Sequence, residues 1–157
     1  MKKTEHIVKL LAQRNLTVAA AESCTGGYAS YLLTRTPGSS KVYKGGLIAY
    51  SLSSKNKFFK LSAARLEQTQ GVSAEICMML AKKVRLLFKS DIGLAVVGFA
   101  GPAAGQHFAA GTVFIALAHE RTITVKRIII HGNRNHVRVQ ASLGLLALLM
   151  THIKKRG

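Results

Sequence analysis

Residues 92–99 read Ile-Gly-Leu-Ala-Val-Val-Gly-Phe, with no polar residue at any alternate position. A strand that is apolar on both faces must be covered on both, and helices are the usual cover. This run points to a sheet held between two helical layers. Residues 4–14 put Ile7, Val8, Leu10 and Leu11 on one helical face, with Thr4 as the expected N-cap. Residues 16–21 form a short apolar strand. Residues 26–34 read as a helix that stops before Pro37-Gly38. A second strand is expected over 42–50, then short helices over 51–61 and 63–68. Ser73 caps a longer helix reaching Lys89, with Glu75 in its first turn, where the helix dipole favours it. Residues 111–118 and 122–130 pair antiparallel across His119-Glu120-Arg121, and 135–155 close the chain as a long helix. The order α-β-α-β-α-α-β-β-β-α predicts a three-layer α/β/α fold with a mixed sheet. With no internal repeat or linker, residues 1–157 are expected to form a single domain.

Composition narrows the functional classes. Apolar residues make up 48% of the chain, too many for intrinsic disorder. The longest apolar stretches, 92–100, 109–118 and 143–150, fall short of the ~18 residues of a membrane span. Glu5, His6, Lys9 and Arg14 interrupt any signal-peptide core after Met-Lys-Lys. Cys24 and Cys77 are too few for a disulfide framework. A cytoplasmic protein without a membrane partner is expected. Lys plus Arg is 23 against 6 acidic residues, a net charge of +17. Such a balance favours polyanions. The basic residues are spread, however, from Lys2 and Lys3 through Lys41, Lys44, Lys57, Lys60, Lys82, Lys83 and Arg85 to Lys126, Arg127, Lys154, Lys155 and Arg156. Aromatics are 6% with no tryptophan, poor material for base stacking. Only weak, non-specific nucleic-acid binding is expected.

Candidate chemistry gathers at strand ends. Glu22-Ser23-Cys24-Thr25-Gly26-Gly27 follows a strand and opens a helix. Such a junction offers backbone N–H groups and the positive end of a helix dipole. Ser23 is well placed there to attack an electrophile whose oxyanion those groups could hold; a plain N-cap and tight turn is the bland alternative. Cys24 is a second candidate nucleophile, although cysteine is more often a small buried hydrophobe. Tyr50 and Lys55 end the second strand, and a desolvated lysine can serve a nucleophilic serine as base, with tyrosine relaying a proton. A snorkelling surface pair is the alternative. The loop Val97-Gly98-Phe99-Ala100-Gly101-Pro102-Ala103-Ala104-Gly105 suits a ligand at the carboxyl edge of an α/β sheet. Arg134 and Arg138, one turn apart at the start of the last helix, would make a phosphate clamp or a solvated basic face. The six histidines show no metal-ligand spacing, so no metal is expected.

These pieces resemble the C-terminal domain of the competence/damage-inducible CinA family, the nicotinamide-nucleotide amidohydrolases. The resemblance runs from about Leu10 to Leu148. It rests on Ala21-Glu22-Ser23-Cys24-Thr25-Gly26-Gly27, Pro37-Gly38-Ser39-Ser40, Tyr50-Ser51 with Lys55, Val72-Ser73 with Glu75, Gly98-Phe99-Ala100-Gly101-Pro102, Gly111-Thr112-Val113, and Gly132-Asn133-Arg134 with Arg138. It implies hydrolysis of the carboxamide of nicotinamide mononucleotide to nicotinate mononucleotide and ammonia, without metal or organic cofactor. The family's catalytic serine matches Ser23, and its tyrosine and lysine match Tyr50 and Lys55. Its phosphate-side contacts look like Ser40, with Ser39 beside it, and Arg134 near the loop at Gly101. Thr25, Gly26 and Gly27 would face the substrate, with N–H groups near Gly26 holding the oxyanion. The resemblance also implies a homo-oligomer. Departures cluster by the third strand: Val97 stands where the family has Ser or Thr, Ala103-Ala104 where it has Gly-Gly, and Gln70-Gly71 where it has Gly-Ala. Two alternatives stay open: a nucleotide-binding protein that has lost catalysis, and a nucleic-acid-associated protein.

Overall fold

The structure is a computed structural model describing residues 2–155, apart from the Lys2 side chain; the basic Arg156 and the two ends of the expected 1–157 domain lie outside the described residues. The elements run α1 (Lys2–Gln13), β1 (Val18–Glu22), α2 (Tyr28–Thr34), a 3-10 turn (Ser39–Lys41), β2 (Tyr43–Ile48), α3 (Leu52–Phe59), α4 (Ala63–Thr69), α5 (Ala74–Leu87), β3 (Ile92–Gly98), β4 (Thr112–His119), β5 (Thr122–Ile129) and α6 (Arg134–Lys155). The sheet order is β2-β1-β3-β4-β5. Strands β2, β1 and β3 are parallel, and β4 and β5 add antiparallel. This is the mixed sheet expected.

Alternation along the inner strands divides the core in two. Val18, Ala20, Leu94 and Val96 face Ile7, Leu11, Leu33, Leu145 and Leu149 of α1, α2 and α6. Ala19, Ala21, Ala95 and Val97 face Leu66, Ile76, Leu80 and Val84 of α4 and α5. The apolar run at 92–99 is thus covered on both sides, as its composition requires. Among the described residues no helix is long and apolar enough to cross a membrane.

Several element ends differ from the sequence expectation, and three helix starts among them have a physical reason. Helix α1 starts at Lys2, so Thr4 is a buried residue within it rather than its cap. Helix α2 starts at Tyr28, because Gly26 and Gly27 have φ of 62° and 92° and no helix accepts left-handed residues. Helix α6 starts at Arg134, with Asn133 Oδ1 accepting from the His136 N–H at 2.9 Å in the manner of a cap.

The chain passes from β1 outward to β2 and then back across β1 to β3. The strand order therefore reverses between β1 and β3. In open α/β sheets the crevice at the carboxyl ends of such a pair is where ligands bind.

Candidate active site

Ser23 lies at that crevice. Its N–H donates to the Val96 carbonyl at 3.1 Å, so it extends β1 by one residue before the chain turns. Lys55 arrives from the other side. Ser51 caps α3, its Oγ accepting from the Ser54 N–H at 3.1 Å, and this fixes Lys55 one turn into the helix. Lys55 Nζ reaches Ser23 Oγ at 3.0 Å and the Tyr50 carbonyl at 3.4 Å. Lys55 is only 2% exposed, and burial pushes its ammonium down from 10.5 to about 8. Gly71, with φ of 68°, leaves the room: a Cβ there would meet Lys55 Nζ at 3.3 Å and Leu52 Cδ2 at 2.7 Å. Cys24 is buried too, and desolvation pushes its thiol up to about 12, so at neutral pH it is a protonated thiol.

The turn carrying Ser23 is held from below by Glu22. This carboxylate is 1% exposed and accepts from Thr25 Oγ1 at 2.6 Å, Ala29 N–H at 3.1 Å, Ser30 N–H at 2.7 Å and Ser30 Oγ at 2.6 Å. It does the capping that Gly27 cannot, since α2 has no side-chain cap of its own. Sequence reasoning passed over Glu22 as a site residue. The signal was present: a carboxylate directly after Ala19-Ala20-Ala21 in a buried strand must find several donors.

Other expectations need correction. Thr25 is fully buried, with its hydroxyl on Glu22 and its carbonyl on Arg138, so it braces the turn rather than facing a substrate. The Gly26 N–H donates to the Ser23 carbonyl at 3.0 Å, the Tyr28 N–H to the Thr25 carbonyl at 3.4 Å, and the Ala29 and Ser30 N–H groups to Glu22; these donors are already engaged. Gly27 packs against Ile48, where a Cβ would come within 2.9 Å. Ser39 and Ser40 precede β2, at the amino end of a strand parallel to β1, whereas Ser23 follows the carboxyl end. A six-residue strand puts the two ends roughly 20 Å apart. Within one chain, Ser39 and Ser40 do not join the site. Val97 is fully buried in the α5-side core, so a hydroxyl in its place would meet protein before substrate. Ala103 and Ala104 are exposed in the loop after β3, which is tied down where the Gln106 N–H donates to Gln70 Oε1 at 2.6 Å.

The two arginines approach from α6. Arg138 donates from Nε and Nη2 to the Thr25 carbonyl, at 3.3 and 3.1 Å. Arg134 donates to the Gly101 carbonyl at 2.7 Å and to the Tyr50 hydroxyl. The Tyr50 ring is turned outward and 56% exposed, so its hydroxyl is held by Arg134 and not by Ser23 or Lys55. Ser23, Lys55, Tyr50, Gly101, Arg134 and Arg138 are therefore linked around one crevice. Among the described residues no group of three or more His, Cys, Asp or Glu side chains is placed to hold a metal ion.

Comparison with known proteins places this chain in a family. The family model described as the CinA C-terminal domain matches residues 1–153. A CinA-like protein of Amoebophilus asiaticus is 42% identical over 131 residues, covering 83% of this chain and 32% of that protein. A CinA-like protein of Thermotoga neapolitana is 36% identical over 157 residues, covering 99% of this chain and 38% of that protein. The chain thus spans well under half the length of these curated relatives. Crystal structures of competence-damaged protein (CinA) superfamily members from Klebsiella pneumoniae and Enterobacter cloacae superpose with TM-scores of 0.93 and 0.88. They are 26% and 30% identical to this chain, covering 98% and 96% of it and 97% and 92% of theirs. The match runs nearly end to end in sequence and in fold, and the chain belongs to the CinA C-terminal domain family.

Proposed function

We propose that this chain is a serine amidohydrolase that removes the carboxamide nitrogen of nicotinamide mononucleotide. The observation that carries the reading is the 3.0 Å contact between Ser23 Oγ and a buried Lys55 Nζ whose pKa is lowered to about 8. A neutral amine at that distance can take the hydroxyl proton as Ser23 attacks the amide carbon. The tetrahedral adduct collapses as Lys55 returns the proton to the departing nitrogen, which leaves as ammonia. Water, deprotonated in turn by Lys55, cleaves the nicotinoyl ester, and Ser23 regains its proton as the carboxylate is released. No metal or organic cofactor enters these steps. The substrate rests on the family resemblance of Ser23, Tyr50, Lys55 and Arg134.

A binding protein that had lost catalysis would have no use for a desolvated lysine, which costs stability and, among the described residues, makes no ion pair with a carboxylate. The test is ammonia release from nicotinamide mononucleotide, run beside nicotinamide riboside and nicotinamide. Release from the nucleotide, abolished in Ser23→Ala, is expected. Tight nucleotide binding with no ammonia would favour the binding-protein reading instead.

A further inference from the structure

Arg134 divides its guanidinium between two protein acceptors, the Gly101 carbonyl and the Tyr50 hydroxyl. Both are neutral, and both partners of the Tyr50 bond are exposed. A phosphate dianion forms charge-assisted, bidentate bonds to guanidinium that are about twice as strong as bonds to neutral acceptors. An arriving phosphate therefore outcompetes the phenol. The Tyr50 backbone is already at the reacting centre, its carbonyl 3.4 Å from Lys55 Nζ, while its ring is swung away toward Arg134. Staggered rotamers swing a tyrosine hydroxyl about its backbone, and the Tyr50 backbone is fixed beside Lys55.

We propose that Arg134 is a phosphate-operated latch on Tyr50: it holds the tyrosine hydroxyl outward, and a substrate phosphate draws the guanidinium away and releases that hydroxyl toward Ser23 and Lys55. This rests on the hydrolase reading and deepens it. Arg134 acts here as a positioning and specificity residue, and discrimination against substrates lacking phosphate falls on kcat as well as on KM. Arg138 stays on the Thr25 carbonyl, keeping the nucleophile's turn fixed while the latch opens.

Two measurements test this. The first uses nicotinamide riboside with added inorganic phosphate, against chloride at equal ionic strength. Phosphate is expected to raise kcat/KM for the riboside about tenfold or more in the wild type and to have no effect in Arg134→Ala. Arg134→Lys keeps the charge without the planar fork, so it should recover part of KM for the nucleotide but not the activation by phosphate. The second reads the latch without turnover. Tyrosine is labelled with carbon-13 at Cζ in the Ser23→Ala background, and the Tyr50 signal is assigned by its loss in Tyr50→Phe. Nicotinamide mononucleotide should shift that signal, and should not when Arg134→Ala is added. Arg134 is exposed at the first position of α6, so its replacement leaves the fold intact, which thermal melting checks. Ammonia release with an unmoved Tyr50 signal overturns the latch and leaves the hydrolase. A signal moved through Arg134 without ammonia supports the latch and overturns the hydrolase.

Discussion

Ser23 and Lys55 form one proton-transfer unit, and its chemistry can be read through pH. Lys55 must be neutral to act as base, and burial sets its pKa at about 8. In the wild type kcat/KM should rise with pH, reach half its plateau near 8 and level off above that. Lys55→Met should lose that limb and about 10²- to 10⁴-fold in rate. Ser23→Ala should lose turnover by several orders of magnitude with little change in melting, whereas Cys24→Ala should keep it, because the Cys24 thiol is pushed up to about 12. The reverse pattern would make Cys24 the nucleophile. The same lysine burdens the fold. Its folded pKa lies below its unfolded value, so the burial cost is full below pH 8 and vanishes as pH rises through 10.5. At about 1.4 kcal/mol per pH unit, the gap from 10.5 to about 8 corresponds to roughly 3 kcal/mol. Lys55→Met should melt higher than the wild type at pH 7, with the advantage shrinking toward pH 10.5. Equal melting curves across that range would show that Lys55 is solvated.

Helix α2 shows what an element contributes beyond its own residues. It is seven residues long, begins behind two left-handed glycines, and takes its N-terminal partner from the strand before it. In Glu22→Gln an amide replaces the carboxylate, and its NH2 must face either the Ala29 N–H with the Thr25 hydroxyl or the Ser30 N–H with the Ser30 hydroxyl. Leaving one of those buried donors unmet costs about 1–3 kcal/mol. Urea unfolding should show that loss, and kcat should fall because Ser23 sits on the loosened turn; a variant as stable and active as the wild type would remove Glu22 from this role. Element order was legible in the sequence because unbroken apolar runs and helical spacing are local patterns. The base and nucleophile were legible by type and by their place at strand ends. Their 3.0 Å contact joins residues 32 apart and depends on how α3 folds back after β2, which no local pattern encodes. Glu22 escaped notice because the backbone N–H groups it accepts from are seven and eight residues onward, outside any N-cap spacing. Ser39 and Ser40 were grouped with Ser23 by motif alone, and the parallel pairing of β1 with β2 sends them to the opposite edge.

Across the whole molecule the +17 charge is not concentrated at the site. Lys41 and Lys44 lie exposed beside and on β2, and Lys126 and Arg127 lie exposed on β5, the two outer strands of the sheet. Lysines on sheet edges keep strands of separate molecules from pairing, which gives this charge a structural use. The outer strands are four spacings apart, roughly 19 Å, so the clusters do not form one stripe along which a phosphate backbone could run. Of the six acidic residues, Glu22 is buried on hydrogen bonds, Asp91 is held by Thr17 and Glu75 pairs with Arg65, which leaves the positive surface largely uncompensated. Duplex DNA should therefore bind, but through phosphates alone. The expected affinity is about 10⁻⁴–10⁻⁶ M at physiological salt, without sequence preference, and it should fall steeply as salt rises. Because each phosphate contact contributes about 0.9 to the slope of log K against log salt, the slope measures how many cations engage at once. Lys126→Ala with Arg127→Ala should lower that slope by no more than about 2 while leaving ammonia release from nicotinamide mononucleotide unchanged. Nanomolar, sequence-selective binding that survives physiological salt would point instead to a nucleic-acid function for this surface.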